Sequence, residues 1–501
     1  MIRLPRNLAF VKEVEKRVKM AEKTIKNHAY RLAYHIMAPV NWMNDPNGLV
    51  QFNGEYHVFY QFHPDAPKWG PMHWGHVKSK DLVHWERAPI ALAPSEEYDQ
   101  GGCFSGSAVV DDNGILTLIY TGNVWLNQEQ TELKQYQCIA TSQDGIHFEK
   151  DPNNPVLSEP PFDCQGHIRD PKVWKHEEEW YMVLGTREGN IGKVVLYKSK
   201  DLRHWTFVNV VAESDGRLGY MWECPDLFHL DGKDVLLFSP QGIEPDGDRF
   251  NNLHQTGYVV GTFDYSTGVL KHGAFQELDK GFDFYAAQTF LDEKGRRILF
   301  GWMDMWESHM PTQEHGWAGA LTIPRLLELT SDDKMVMKPV PELQLLREGH
   351  TRLESISVKP EQAQYIPSIK GDRLEIIAEF SLEEFKGTAF GMKVRCSGDG
   401  EEETVFCYDV KESVIIFDRN RSGKGEGGVR RAKLDLKSRH TIKFHVFIDR
   451  SSVELFVNDG ELVMTGRIYP TEPSELVGVF ADGAEATVLS MDAWILKDIW
   501  Q

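Results

Sequence analysis

Cysteine is scarce in this chain: its 501 residues hold six, at 103, 138, 164, 224, 396 and 407, with no Cys-x-x-Cys pair. Such spacing indicates neither a zinc site nor a disulfide scaffold, and free thiols are expected. An excess of basic charge is also missing. Lys and Arg number 55 against 75 Asp and Glu, for a formal net charge of −20. Nucleic acid and anionic membrane surfaces are therefore excluded as expected partners, because both need a concentrated basic face. Nowhere does the chain carry the roughly 20 consecutive apolar residues that span a bilayer. Its opening, MIRLPRNLAFVKEVEKRVKMAEKTIKNHAY, mixes charged and apolar residues and lacks the roughly 7 to 15 residue apolar core of a secretion signal. A cytoplasmic location is the expectation.

What is present is aromatic and sheet-like. The chain holds 14 Trp, 16 Tyr and 26 Phe, which suits both sheet packing and stacking against sugar rings. Its length predicts two or three domains. Apolar residues at Leu8, Val11, Val14, Val18 and Ile25 recur at helical spacing, which predicts one amphipathic helix over about residues 7–27 that packs on the main domain.

Between about residues 40 and 305 a repeat emerges. Five apolar strands each follow a turn or a charged run: EYHVFYQF, ILTLIYTG, WYMVLGTR, DVLLFSPQ and RRILFGWM. With Tyr60, Tyr120, Leu184, Phe238 and Phe300 as equivalent points, the spacings are 60, 64, 54 and 62 residues, enough for a four-stranded sheet with loops. KSKDLVHWER, TSQDGIHFEK and KSKDLRHWTF share a Ser-x-Asp turn and a His-aromatic pair. Radial repetition of short antiparallel sheets, a five-bladed β-propeller, accounts for this period better than a sandwich or β-helix. Beyond Pro324 the texture changes. Alternating strands such as RLEIIAEFSL, TIKFHVFID and SVELFVNDG predict a two-sheet β-sandwich. The expected architecture is all-β: an N-terminal helical extension over 1–30, a propeller over 31–330, a linker over 331–352 and a sandwich over 353–501.

The repeat also predicts a site. Fifteen residues before four of the equivalent points lie Asp45, Ser105, Glu223 and Tyr285, and fourteen before Leu184 lies Asp170. These positions are taken as equivalent, each at the start of its repeat. In a propeller the first strand of each blade lines the central channel, so three carboxylates from three blades should converge on one axial pocket. Crowded carboxylates repel and raise at least one pKa, and stability alone would not select them. Glycosidic cleavage would, because it needs one carboxylate at the anomeric carbon and one carboxylic acid to protonate the leaving oxygen.

Trp42-Met43-Asn44-Asp45-Pro46-Asn47-Gly48, Phe104-Ser105-Gly106, Arg169-Asp170-Pro171 and Trp222-Glu223-Cys224-Pro225-Asp226 together resemble the signature blocks of glycoside hydrolase family 32, the invertase and sucrose-6-phosphate hydrolase family. The resemblance runs nearly end to end and includes Asp449-Arg450-Ser451-Ser452-Val453-Glu454. It implies a β-fructofuranosidase acting on sucrose, sucrose 6-phosphate or short fructo-oligosaccharides, with retention, and without metal or cofactor. Asp45 would attack the anomeric carbon, Glu223 would act as general acid and then base, and Asp170 would hold fructose hydroxyls. Trp42, Asn44, Gln61, Trp69, Phe104, Ser105, Arg169, Tyr285 and Trp302 are the candidate substrate-binding residues, since amide, guanidinium and ring groups fix a polyol. Arg169 is expected to keep Asp170 ionised, and surrounding negative charge to keep Glu223 protonated.

Blander readings stand beside these. Asn-Asp-Pro-Asn-Gly alone is a good turn, Asp226 reads as structural support, and the His-Trp pairs at 84–85 and 204–205 belong to the repeat. Cys224 has no paired His and reads as a thiol that tunes the adjacent acid. Lys68 and Arg187 are basic residues of rim loops. Two rival functions are an arabinan- or xylan-degrading propeller enzyme, separable by the stereochemistry of its product, and a non-catalytic sugar-binding propeller, which would release no glucose.

Overall fold

A computed structural model describes residues 5–25, 29–383, 385–436, 439–471 and 473–500. The helix forms over Arg6–Glu22 and buries Val11, Val14 and Val18. Residues 26–27 of its expected span lie outside the described residues. Leu8 is only half-buried, and its neighbour Asn7 is inserted instead. The Asn7 amide donates to the carbonyls of Ala91 and Phe148, at 2.9 Å each, and accepts from Ala93 N at 3.0 Å. The helix thereby clips the first two blades together through a fully satisfied polar side chain.

Five antiparallel sheets follow in sequence order. The first comprises Asn41–Phe52, Glu55–His63, His73–Ser79 and Glu86–Arg87. The second runs through Gly102–Val110, Leu116–Trp125, Leu133–Ser142 and Glu149–Lys150, and the third through Ile168–His176, Glu179–Glu188, Ile191–Ser199 and Thr206–Glu213. Met221–Leu230, Lys233–Gln241, Gly257–Asp264 and Val269–His272 build the fourth. Tyr285–Leu291, Arg297–Trp302, Arg325–Leu329 and Met335–Pro339 build the fifth. Each first strand packs against the first strands of the sheets on either side, and the fifth meets the first, so the sheets close into a ring of five blades. Trp317–Ala318, from a long connection within blade five, pairs in parallel with Asn41–Trp42 and seals that closure.

The Ser-x-Asp repeat is one hydrogen-bonded turn used three times. Ser79, Ser142 and Ser199 donate to Asp81, Asp144 and Asp201 at 2.9 to 3.1 Å. Each Asp also accepts from the backbone N–H of the repeat His at 2.9 Å and meets that His ring at 2.7 to 2.8 Å. His84, His147 and His204 therefore serve the turn between the third and fourth strands of a blade.

The sandwich consists of two six-stranded sheets around a core that includes Ile376, Phe380, Phe406, Phe417, Phe444 and Leu455. Half of the residues 331–352, expected to be a linker, are in strands. Met335–Pro339 completes blade five, and Arg347–Val358 pairs with Ala486–Leu496 in the sandwich. Only the short helical turn Pro341–Leu346 connects the two units. Lys338 and Arg352 break the apolar alternation by which strands are read from sequence.

The Asp449–Glu454 block docks the domains. Asp449 accepts from the backbone N–H groups of Ala33 and Tyr34 and bonds His35 Nδ1, all within 2.8 to 3.0 Å. Glu454 bonds His35 Nε2 at 2.9 Å, Arg325 at 2.5 Å and Ile323 N at 3.0 Å. Burial opposes charge on His35, but hydrogen bonds from the two carboxylates overcome it and push its pKa up to about 9. A further buried group joins the same seam, where Arg467 and Arg419 clasp Asp283 at 2.7 to 3.1 Å.

Candidate active site

Every blade carries a register irregularity in its first strand at the same level. It falls between Met43 and Pro46, Phe104 and Gly106, Glu223 and Asp226, and Tyr285 and Gln288, and opposite Val183–Gly185 in blade three. A β-bulge re-aims side chains and ends regular pairing. Five at one level turn the top of the inner ring into a cup of inward-facing residues.

This register corrects one part of the sequence reading. In blades three and four the bulge residues are Asp170 (φ +63°) and Cys224 (φ +49°), each followed by proline. Cys224, not Glu223, is thus the counterpart of Asp170, and Glu223 corresponds to Arg169, both pairing with the residue just after the equivalent apolar point. The count of fifteen in blade four, against fourteen in blade three, was one residue too long. The left-handed backbone at two non-glycine residues is strained. It is held by Thr121 Oγ1, which accepts from Asp170 N at 3.1 Å, and by Asp170 Oδ2, which accepts from Cys224 N at 2.9 Å.

The cup is a cavity of about 260 Å³ lined by Asn44, Asp45, Gln61, Trp69, Phe104, Ser105, Arg169, Asp170 and Glu223, with Trp125, Leu133, Gln135, His167 and Trp306. Asp45, from blade one, accepts from Ser105 Oγ at 2.5 Å and Asn44 Nδ2 at 2.9 Å, with Cys224 Sγ at 3.6 Å. Burial raises its pKa, and the Ser105 and Asn44 hydrogen bonds counteract that rise. Trp42 Nε1 donates to Asn44 Oδ1 at 2.8 Å and so orients the Asn44 amide toward Asp45.

Glu223 is gripped on both oxygens. Arg169 reaches Oε1 at 2.8 and 3.0 Å. Tyr285 OH and Gln241 Nε2 reach Oε2 at 2.6 and 2.8 Å. Burial would raise its pKa, but the charge of Arg169 and the Tyr285 hydrogen bond outweigh burial and hold it below the usual value. Arg169 stands 4.0 Å from Asp170. Asp170 is pushed up to about 7 by burial, relieved in part by Arg169 and reinforced by Glu223 and Asp45. The expected order of the two carboxyls is therefore reversed: the guanidinium faces Glu223, because the two occupy matching positions on adjacent blades, and holds its pKa down, whereas Asp170 is the carboxyl whose pKa is pushed up.

Trp42, Tyr285 and Trp302 do not line the cavity. Trp302 is fully buried, edge-on to Trp42 at 5.7 Å and to Trp306 at 4.9 Å, so the ring that reaches the cup is Trp306. Trp69 is half-buried against Phe104 and Trp125. Cys224 faces Asp45 and Asp170 instead of tuning Glu223, and burial drives its thiol pKa well up, which keeps it a neutral donor. Asp226 ties blades together below the cup by accepting from Thr289 N at 2.7 Å and pairing with Lys172 at 3.0 Å. Gln135, Gln241, His167 and Trp306 escaped the sequence reading. His167 alone had a signal, two residues before Arg169 and just ahead of the strand that carries it.

A five-bladed ring with three carboxylates from three blades in one pocket defines a glycoside hydrolase. The glycosyl hydrolases family 32 N-terminal domain matches residues 35–339, and the family 32 C-terminal domain matches residues 342–495. The chain belongs to that family. It is 43% identical to a sucrose-6-phosphate hydrolase of Zymomonas mobilis over 96% of this chain and 95% of the relative, and 40% identical to a raffinose invertase of Escherichia coli over 92% and 94%. A family 32 β-fructofuranosidase of Bombyx mori, solved as a mutant in complex with sucrose, superposes with a TM-score of 0.86 at 39% identity, covering 98% of this chain and 99% of that one. No helix among the described residues is long and apolar enough to cross a membrane.

Proposed function

We propose that the protein hydrolyses the terminal β-D-fructofuranoside of sucrose and sucrose 6-phosphate inside the cell, with retention, through a covalent fructosyl-enzyme intermediate. The observation that carries this reading is the pair of differently prepared carboxyls in the 260 Å³ cup, Asp45 and Glu223. Asp45 is aimed by Ser105 and Asn44 and attacks the anomeric carbon, while Glu223 protonates the leaving oxygen and then takes a proton from water.

Asp170, whose pKa is pushed up to about 7, is the carboxyl that supplies Glu223 with its proton in this scheme. Fructose hydroxyls that donate to Asp170 stabilise its anion and lower its pKa. Repulsion from ionised Asp170 and Asp45 then raises Glu223, so substrate binding moves the proton to the general acid. Trp69, Phe104 and Trp306 supply faces for the sugar rings.

The test is turnover of sucrose by Asp45→Asn and Glu223→Gln, with the anomer of the first fructose released followed by NMR. Asp45→Asn should abolish turnover. Glu223→Gln should lose roughly 10²- to 10⁴-fold in kcat, as removal of a general acid does, and β-fructofuranose should appear first. Intact turnover by Asp45→Asn, or initial release of the α anomer, would refute the scheme.

A further inference from the structure

Next to the catalytic cup lies a larger cavity of about 580 Å³, lined by residues including Lys134, Gln165, His167, Ile168 and Arg187. It shares Leu133, Gln135 and His167 with the cup, so the two adjoin across a common wall. The shared wall lies on the side of Arg169, which grips Glu223, the side toward which a leaving group protonated by Glu223 departs.

The charge of this annex is unusual for a protein with net charge −20. Arg187 is the penultimate residue of the second strand of blade three, where its neighbour Thr186 pairs with Ile168. Arg187 therefore sits beside His167 and within reach of the same opening as Arg169. Its Nη2 donates to a neutral group, Gln165 Oε1, at 2.9 Å. Its Nε is buried with no partner, and among the described residues no carboxylate pairs with it. Burial and then the charge of Arg169 disfavour its cation, a penalty that a bound anion would remove. Lys134, from the third strand of blade two, lines the same cavity, where it pairs with exposed Glu159 at 3.0 Å and lies over the Tyr136 ring. Glu132 also borders the cavity but is exposed. A half-buried guanidinium with no carboxylate partner, lining one cavity with an ammonium, offers the donors that recognise a phosphate dianion.

We propose that Arg187, assisted by Lys134, binds the phosphate of a 6-phosphorylated glucosyl leaving group and makes the enzyme selective for the phosphorylated disaccharide. This rests on the β-fructofuranosidase reading above. The phosphate is recognised as part of the substrate, and it stays on the glucose that departs, so no bond to phosphorus forms or breaks.

The test compares kcat/KM for sucrose and sucrose 6-phosphate in the full-length wild type, Arg187→Gln and Lys134→Gln, with product inhibition by glucose 6-phosphate, glucose and inorganic phosphate. Loss of one charge-assisted contact corresponds to about 10- to 100-fold. Arg187→Gln should lower the preference for sucrose 6-phosphate over sucrose by that factor, chiefly through KM, and Lys134→Gln by less. Glucose 6-phosphate should inhibit the wild type more strongly than glucose or inorganic phosphate, and Arg187→Gln should lose that advantage. A wild type that cleaves both sugars equally well, or an Arg187→Gln variant that loses equally on both, overturns the phosphate site while leaving fructoside hydrolysis intact. Inhibition by inorganic phosphate as strong as by glucose 6-phosphate would show a simple anion site and overturn selectivity for the sugar phosphate. A wild type that cleaves neither sugar takes down both readings.

Discussion

Tyr285 shows how one side chain sets the chemistry of another. Its hydroxyl donates to Glu223 Oε2 at 2.6 Å and favours the carboxylate form of the general acid. Removing that donor in Tyr285→Phe raises the Glu223 pKa, so the basic limb of the kcat/KM profile should move to higher pH, because the acid then keeps its proton longer. A basic limb that stays in place would show that the contact is only structural. Asp45, Asp170 and Glu223 were all found from the repeat, with Glu223 one residue out of register, since acidic residues near the start of three blades need a reason to coexist. Which carboxyl holds the proton was not visible. That depends on whether the Arg169 guanidinium turns to its sequence neighbour or across to the next blade, and side-chain direction at a bulge is absent from a one-dimensional count.

At the scale of elements, the bulges decide the site. A regular strand alternates its faces with period two, so a single inserted residue moves every later side chain to the other face. This is why Cys224 takes the position matching Asp170 while Glu223 lies alongside Arg169. The blades approach closely at this level: a Cβ on Gly185 would lie 2.0 Å from the Trp222 carbonyl oxygen, a contact with backbone that cannot give way. Gly185→Ala should therefore push blades three and four apart beside Glu223. A displacement near 1 Å costs about a hundredfold in rate, so kcat on sucrose should fall by that order while circular dichroism keeps its sheet signature. Unchanged kcat would mean that the blade contact does not position the acid. The helix, the five-blade count and the sandwich were legible from periodicity. The fourth strand of blade five was not, because Met335–Pro339 is short and its lysine and proline mask the alternation.

Across the whole molecule, the propeller and sandwich are held by buried charges around His35, Arg325 and Arg467. Arg325 bonds Asp279 at 3.0 Å, Glu454 at 2.5 Å and Thr465 at 2.6 Å. Removing one partner of such a buried set typically costs about 3 to 5 kcal/mol, because the remaining charge stays desolvated. His35 adds a pH dependence of definite sign. Its folded pKa of about 9 lies above the ordinary 6.5, so its contribution is complete below about pH 6.5 and is lost as pH rises through about 9. The urea midpoint should fall across that window in the wild type, and His35→Gln should be less stable at pH 6 with a flatter decline. Parallel curves for the two proteins would contradict this account of the seam.

By itself the sequence determined the all-β architecture, the family and the three acidic residues, because strand periodicity, repeat length and motif order are properties of the chain read in line. Only the tertiary structure decided which groups face one another: Arg169 against Glu223, the Asp449–Glu454 block against His35 and Arg325, and Arg187 at a cavity that adjoins the catalytic cup. Those pairings join residues distant in sequence, on separate blades or domains, and they arise from strand register and ring closure, which no local pattern encodes.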